Sequence, residues 1–247
     1  MSQLLISVKN VEEALIALDA GVDLIDLKDP GVGALGALDL EVSKNILQAI
    51  HQYKQTDHDE YFPLTSATVG EIQADFSALN IAIQAKMDIG VDIIKIAASD
   101  LLKYLEEIKN HFDLQQVKLI AVFFAGEPMD LNVLQKLKDN DFYGAMLDTQ
   151  NKQQNLLEIC TLSTVEEFIQ SCQHNKLMSG LAGSLKPQHI EQLADINPSY
   201  MGFRGGACEN DSRINGLIQY KVLHIKNMLR EHNKINGLAQ QAWVCVA

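Results

Sequence analysis

The chain has 247 residues, 47% of them hydrophobic and 21% charged, an ordinary composition for one large globular domain. Disorder, collagen and a disulfide scaffold are excluded as overall descriptions. Lys and Arg number 20 against 32 Asp and Glu, a net charge of -12, which argues against non-specific binding to nucleic acid or an anionic membrane, since both rest on dense basic patches.

In chain order, the apolar run Leu4–Val8 reads as a strand. Val11–Ala20 follows as a helix with Val11, Ala14, Leu15 and Leu18 on one face, Gly21 ends it, and Leu24–Lys28 is a second strand. The alternation then repeats. Leu40–Tyr53 reads as helix, Phe62–Val69 as strand, Phe76–Ile89 as helix and Asp92–Ala97 as strand. Leu101–Ile108 is a helix, Val117–Phe124 a strong fifth strand, Leu131–Leu137 a short helix and Ala145–Leu147 a sixth strand. Val165–Cys172 is helical, Leu177–Ala182 a strand, Ile190–Ile196 a short helix, Tyr200–Phe203 the eighth strand and Ile214–Leu229 the last long helix. Eight strand–helix units in one domain length point to a single α/β (β/α)8 TIM barrel over residues 1–230, with a doubly wound sheet as the competing topology. Residues 231–247 form a tail whose WVCVA end, with Trp243, packs under the barrel or against a partner.

The four cysteines, Cys160, Cys172, Cys208 and Cys245, form neither a Cys-x-x-Cys pair nor a zinc-like cluster. MSQLLISVKN lacks the basic region and apolar segment of an export signal, and no apolar run reaches membrane-spanning length. A cytoplasmic protein in a reducing compartment is expected, free of metal, membrane and nucleic-acid partners, with a homo-oligomer left open.

A weak internal repeat relates GVDLIDL at 21–27 to GVDIIKI at 90–96, and YGAMLD at 143–148 ends in similar fashion. The superposition puts Asp26, Lys95 and Asp148 at equivalent positions, with Arg204 at a comparable place late in strand eight. All four lie on even-numbered strands, whose inward side chains share layers, so one polar layer near the catalytic mouth is expected.

Asp26 and Lys28 stand two apart on a strand and share a face. They form either a structural ion pair or part of a site at the C-terminal strand ends. Lys95 sits inside the apolar DIIKIAA, where a charged amine is disfavoured unless paired. It is a buried ion-pair partner of Asp26 or Asp148, or an amine tuned to act as a base or Schiff-base nucleophile. Asp148 ends the sixth strand and Lys152 follows in the loop, where a solvated lysine is the plain alternative. SGLAGSLKPQHI at 179–190 carries Gly180, Gly183 and Ser184 from the end of strand seven toward the next helix, and after strand eight comes FRGGAC with Arg204, Gly205 and Gly206. Glycine turns before helices offer N–H donors to an anion, and barrels commonly bind phosphate after strands seven and eight. Ser66 and Thr68 either line the mouth or support the fold.

Read together and in order, LISVKNVEEA, DLIDLKDP with GALG, TSATVG, DIIKIA, AMLDTQNK, LAGSLKPQHI and FRGGAC followed by Arg213 resemble the (5-formylfuran-3-yl)methyl phosphate synthase family through about residue 230. The resemblance implies a TIM barrel that joins two glyceraldehyde 3-phosphate molecules, with loss of water and one phosphate, into a phosphorylated furan aldehyde for methanofuran or a related cofactor. It implies Lys28 as the Schiff-base lysine, Lys95 as the proton acceptor, and Asp26, Asp148 and Lys152 as further active-site residues. Gly183, Ser184, Arg204, Gly205 and Gly206 are the expected substrate-phosphate ligands, and neither cofactor nor metal is needed. Competing readings are another Schiff-base barrel lyase or isomerase acting on a phosphorylated sugar, and a non-catalytic phosphometabolite-binding protein.

Overall fold

The computed structural model of the protein describes the backbone of residues 1–54, 62–71 and 74–244, and their side chains up to residue 235, Lys54 excepted. The strands are β1 (Gln3–Val8), β2 (Leu24–Leu27), β3 (Leu64–Thr68), β4 (Ile93–Ala97), β5 (Lys118–Phe124), β6 (Gly144–Asp148), β7 (Met178–Leu181) and β8 (Tyr200–Phe203). The helices are α1 (Val11–Asp19), α2 (Leu40–Lys54), α3 (Phe76–Asp88), α4 (Ala98–Lys103), α5 (Leu105–His111), α6 (Asn132–Asp139), α7 (Leu156–Ile159), α8 (Leu162–His174), α9 (Ile190–Ala194) and α10 (Gln219–Val244). Successive strands pair in parallel, and β8 returns to β1 with Gln3 opposite Tyr200 and Ile6 opposite Phe203. The barrel is closed, and the doubly wound alternative falls away.

Short runs such as LIDL and IIKIA suit this position because both of their faces are buried. Leu5, Leu24, Ile93, Ile120 and Tyr200 point inward and fill the barrel. Their neighbours Leu4, Ile6, Ile25, Ile94 and Leu119 point outward into the layer beneath the helices. The helices start where the sequence supplies caps: Asn10 and Asp75 side chains accept the N–H groups of Glu13 and Ala78. The GVD repeat has a structural meaning at the barrel's N-terminal end. Asp23 Oδ2 accepts Leu4 N at 2.7 Å, and Asp92 Oδ2 accepts Thr65 N at 2.8 Å. Each GVD aspartate thus ties an even strand to the odd strand before it.

Three elements differ from the sequence reading. The single helix at Leu101–Ile108 is two, α4 and α5, broken at Tyr104, which leaves the helical region and turns its ring toward Phe76, 6.0 Å between centroids. Four-residue α7 is too short for periodicity to reveal, although Asn155 and Glu158 cap it reciprocally. The last helix begins at Gln219 rather than Ile214, because residues before it are held as a loop: Cys208 bridges to Leu217, and the Arg204 side chain binds the carbonyls of Arg213 and Asn215. That helix then runs on to Val244, so the boundary at residue 230 falls inside it. The Trp243 side chain lies outside the described residues. Among the described residues, no helix is long and apolar enough to cross a membrane.

Candidate active site

The C-terminal ends of the strands surround a cavity of about 420 Å³. Six basic and four acidic side chains line it, a local excess of positive charge in a chain whose net charge is -12. Leu5, Leu35, Val122 and Met146 supply an apolar wall.

The charged residues expected in one layer are resolved into two. Counted from the strand starts, Asp26 in LIDL and Lys95 in IIKIA share one level, whereas Asp148 closes GAMLD two positions further on. At the lower level Lys95 Nζ lies 2.5 Å from Asp26 Oδ1. Ser66 Oγ donates to the same oxygen at 2.7 Å, and Ser7 Oγ to Oδ2 at 3.0 Å. At the upper level Lys28, just past the end of β2, donates to Asp148 Oδ2 at 3.4 Å. Lys152 donates to Asp148 Oδ1 at 2.6 Å, and Thr149 N to the same oxygen at 2.7 Å. The lower pair is sealed, with side chains 3% and 2% exposed, while Lys28 and Lys152 keep 12% and 15%.

Burial and charge act in opposite directions on these groups. Burial pushes the Lys95 amine below its ordinary value; Asp26 opposes this, and neighbouring Lys28 adds to it. Burial would raise Asp26, but Lys95 and then Lys28 outweigh it, so the carboxyl stays below its usual range. Asp148 is held at about 2, where Lys28 and Lys152 together overcome burial. Lys152 is brought down to about 8, chiefly by burial, against the pull of Asp148. An amine near 8 changes charge close to neutral pH, which suits proton transfer or a switchable cation.

The loops after β7 and β8 face the same cavity. Gly183 has φ +103°, and a Cβ there would lie 2.6 Å from Thr149 Cγ2, so the turn requires glycine. Ser184 also adopts positive φ, and its Oγ donates to Lys152 O at 3.0 Å, joining the two loops. Among the described residues, the amides of Gly183, Ser184, Gly205 and Gly206 donate to no protein acceptor. Four N–H groups without a protein acceptor at the border of a basic cavity are available to an oxyanion.

Arg204 borders the cavity, but its guanidinium is engaged elsewhere. Nε donates to Arg213 O, Nη1 to Ser7 O and Glu13 Oε2, and Nη2 to Glu13 Oε1 and Asn215 O. These five bonds use all five guanidinium donors, so the side chain expected as a phosphate ligand has no donor left over for one in this arrangement. Arg204 instead fastens the β8 loop to β1 and α1. Arg213 is the arginine in position: it lines the cavity and spends one donor contact on Gly33 O at 3.2 Å. Lys186 lines the rim as well. The acidity of Asp211 beside this loop is countered by Lys221 at 2.7 Å and Lys186 at 4.0 Å.

Thr68 lines the cavity, and its hydroxyl donates to Leu35 O at 2.9 Å. Ser66 serves Asp26. Cys208 is fully buried. Sequence reasoning missed Leu35 and Lys186 as site residues, and it quoted Arg213 only as part of a motif. Among the described residues, no group of three His, Cys, Asp or Glu side chains is placed to hold a metal ion.

Residues 4–226 match the family model described as 4-HFC-P synthase. A protein of Methylorubrum extorquens, provisionally named a (5-formylfuran-3-yl)methyl phosphate synthase, is 36% identical over 231 residues, covering 92% of each chain. The (5-formylfuran-3-yl)methyl phosphate synthase of Methanothermobacter thermautotrophicus is 30% identical over 242 residues, 92% of this chain and 98% of its own. Among solved structures, phosphoribosyl anthranilate isomerase of Thermus thermophilus superposes with a TM-score of 0.63 at 13% identity, over 93% of this chain and 98% of that one, a likeness of fold alone.

Proposed function

Because this chain belongs to the 4-HFC-P synthase family of enzymes, we propose that it condenses two molecules of glyceraldehyde 3-phosphate through a lysine Schiff base. The product is (5-formylfuran-3-yl)methyl phosphate, formed with release of one phosphate and two waters. Atoms balance without an oxidant or reductant, and the iminium serves as the electron sink, so the scheme assigns no step to a metal or redox cofactor. The reading places the enzyme in methanofuran or related cofactor synthesis.

Lys28 is the nucleophile in this reading. The observation that carries it is that Lys28 reaches the cavity while sharing Asp148 with Lys152. When the Lys28 amine attacks a triose carbonyl, Asp148 keeps Lys152 and Thr149 N as partners, so no buried carboxylate is left bare. The iminium acidifies the adjacent carbon. Lys95, its proton affinity lowered by burial, accepts that proton, and Asp26 stabilises the resulting ammonium. The carbon nucleophile adds to the carbonyl of the second triose, aromaticity draws the eliminations forward, and water finally cleaves the C–N bond to release the product and restore the Lys28 amine. The free amides of Gly183, Ser184, Gly205 and Gly206, with Arg213, hold a substrate phosphate.

Incubation of the purified protein with glyceraldehyde 3-phosphate, followed by mass spectrometry, tests the reading. A phosphorylated furan aldehyde and one equivalent of inorganic phosphate are expected. Turnover of a single sugar phosphate without joining two trioses would replace it with a lyase or isomerase.

A further inference from the structure

The loop between β2 and α2 turns back immediately after Lys28. Lys28 and Ala37 form an antiparallel bridge, and Asp29 N donates to Gly36 O at 2.9 Å. A Cβ on Gly36 would lie 2.0 Å from Val32 O and 2.3 Å from Asp29 O, both backbone atoms, so the turn admits only glycine. This path aims Leu35 into the barrel. Leu35 is 1% exposed and belongs to the interior cluster of Leu5, Ala97, Val122 and Met146. Among the described residues, it is the one buried member of that cluster that no strand supplies.

The loop is fixed at three successive residues. Thr68 Oγ1 donates to Leu35 O at 2.9 Å, Ala34 N donates to Glu71 Oε1 at 3.0 Å, and Arg213 Nη2 donates to Gly33 O at 3.2 Å. An apolar side chain is thereby held against the wall of the cavity that contains Lys28, Lys95 and Asp148.

We propose that Leu35 is a specificity-determining residue that keeps the first, three-carbon lysine adduct dry until the carbon–carbon bond has formed. The inference rests on the Schiff-base reading above. An iminium of glyceraldehyde 3-phosphate has two competing fates. Hydrolysis returns the aldehyde. Alternatively, the proton leaves C2, the enamine expels phosphate from C3 with the C–O bonding pair, and water releases methylglyoxal from the resulting imine. The net change is one glyceraldehyde 3-phosphate to one methylglyoxal and one phosphate, with no oxidant. Both fates end with water attacking the imine carbon of the three-carbon adduct, and an ordered leucine in the wall of the same cavity restricts the space open to that water.

The test compares Leu35→Ala, Leu35→Asn and the volume-conserving Leu35→Met, measuring phosphate, furan and methylglyoxal from glyceraldehyde 3-phosphate. Wild-type enzyme should release one phosphate per furan, and Leu35→Met should stay near that ratio. Leu35→Ala and Leu35→Asn should release about tenfold more phosphate than furan, with methylglyoxal making up the difference. Thr68→Val, which frees the Leu35 carbonyl and leaves the leucine in place, should move the ratio the same way by less. It serves as the deciding variant if the Leu35 changes unfold the chain. Folded variants that all keep one phosphate per furan overturn the role of Leu35. Wild-type enzyme that forms no furan overturns the underlying reaction instead.

Discussion

Asp26 and Asp148 both face the barrel interior, and they hold their lysines differently. Asp26 binds one lysine and two serine hydroxyls in a sealed space. Asp148 divides its oxygens between Lys28 and Lys152 at the edge of the cavity. Among the described residues the lower carboxylate has one lysine in direct contact and would lose it with Lys95, whereas the upper unit can release one amine and keep the other. In the proposed reaction, division of labour follows from partner number: the shared carboxylate would free a nucleophile, and the exclusive pair would manage a proton.

The largest effect that could break this contrast is on Lys28. Lys28→Met should reduce furan formation by at least ~10⁴-fold, the scale seen when a covalent nucleophile is removed, with the fold intact by circular dichroism. Turnover that survives would move the nucleophile elsewhere. Lys95→Met should lower turnover by roughly 10²–10⁴-fold, the usual worth of a positioned proton acceptor. Lys95→Arg should fail too, because a guanidinium stays protonated. Lys95→Met also leaves Asp26 without its cation, so the melting temperature should drop. The Asp26→Asn/Lys95→Met double variant should recover the melting temperature and not the rate. Recovery of both would reduce the lower pair to a structural role.

The two arginines of the β8 loop sharpen the same distinction between holding and reacting. Arg213→Ala should raise KM about 10–100-fold with little change in kcat, since a charge-assisted phosphate contact contributes about 1.5–3 kcal/mol. Arg204→Ala should act first on stability, because it leaves buried Glu13 unpaired, a loss of about 3–5 kcal/mol. Equal KM effects with no change in melting temperature for Arg204→Ala would return that side chain to the phosphate.

The smallest effect concerns Lys152, whose amine titrates near 8. Below that pH it is charged and supports anionic substrate; above it the charge is lost. The free-enzyme profile, kcat/KM against pH, should therefore fall as pH rises through about 8. Lys152→Arg should remove that falling limb, because the guanidinium remains charged. A limb that rises through the same pH would make Lys152 a base.

Much of the site was legible because strand chemistry is restrictive. A lysine within IIKIA or an aspartate within LIDL has nowhere to go except the barrel interior, so Asp26 and Lys95 stood out against an apolar background. Their height was harder to read: YGAMLD resembles GVDLIDL in its last residues, yet strand start positions place Asp148 nearer the mouth. Loop residues carry no such restriction. Leu35 looks like any loop leucine until the Lys28–Ala37 bridge turns it inward. Arg204 beside two glycines reads as an anion ligand, and only the distant Glu13 on α1 shows where its charge is used. The same arginine hid the start of α10, because it binds carbonyls that the apolar pattern assigns to a helix.

Borohydride reduction in the presence of glyceraldehyde 3-phosphate, with peptide mapping of the trapped adduct, separates the two tiers in one experiment. A mass increase on the peptide that contains Lys28, with Lys95 and Lys152 unmodified, is the predicted result. An adduct on Lys95 with none on Lys28 would contradict it and exchange the roles of the shared and exclusive pairs.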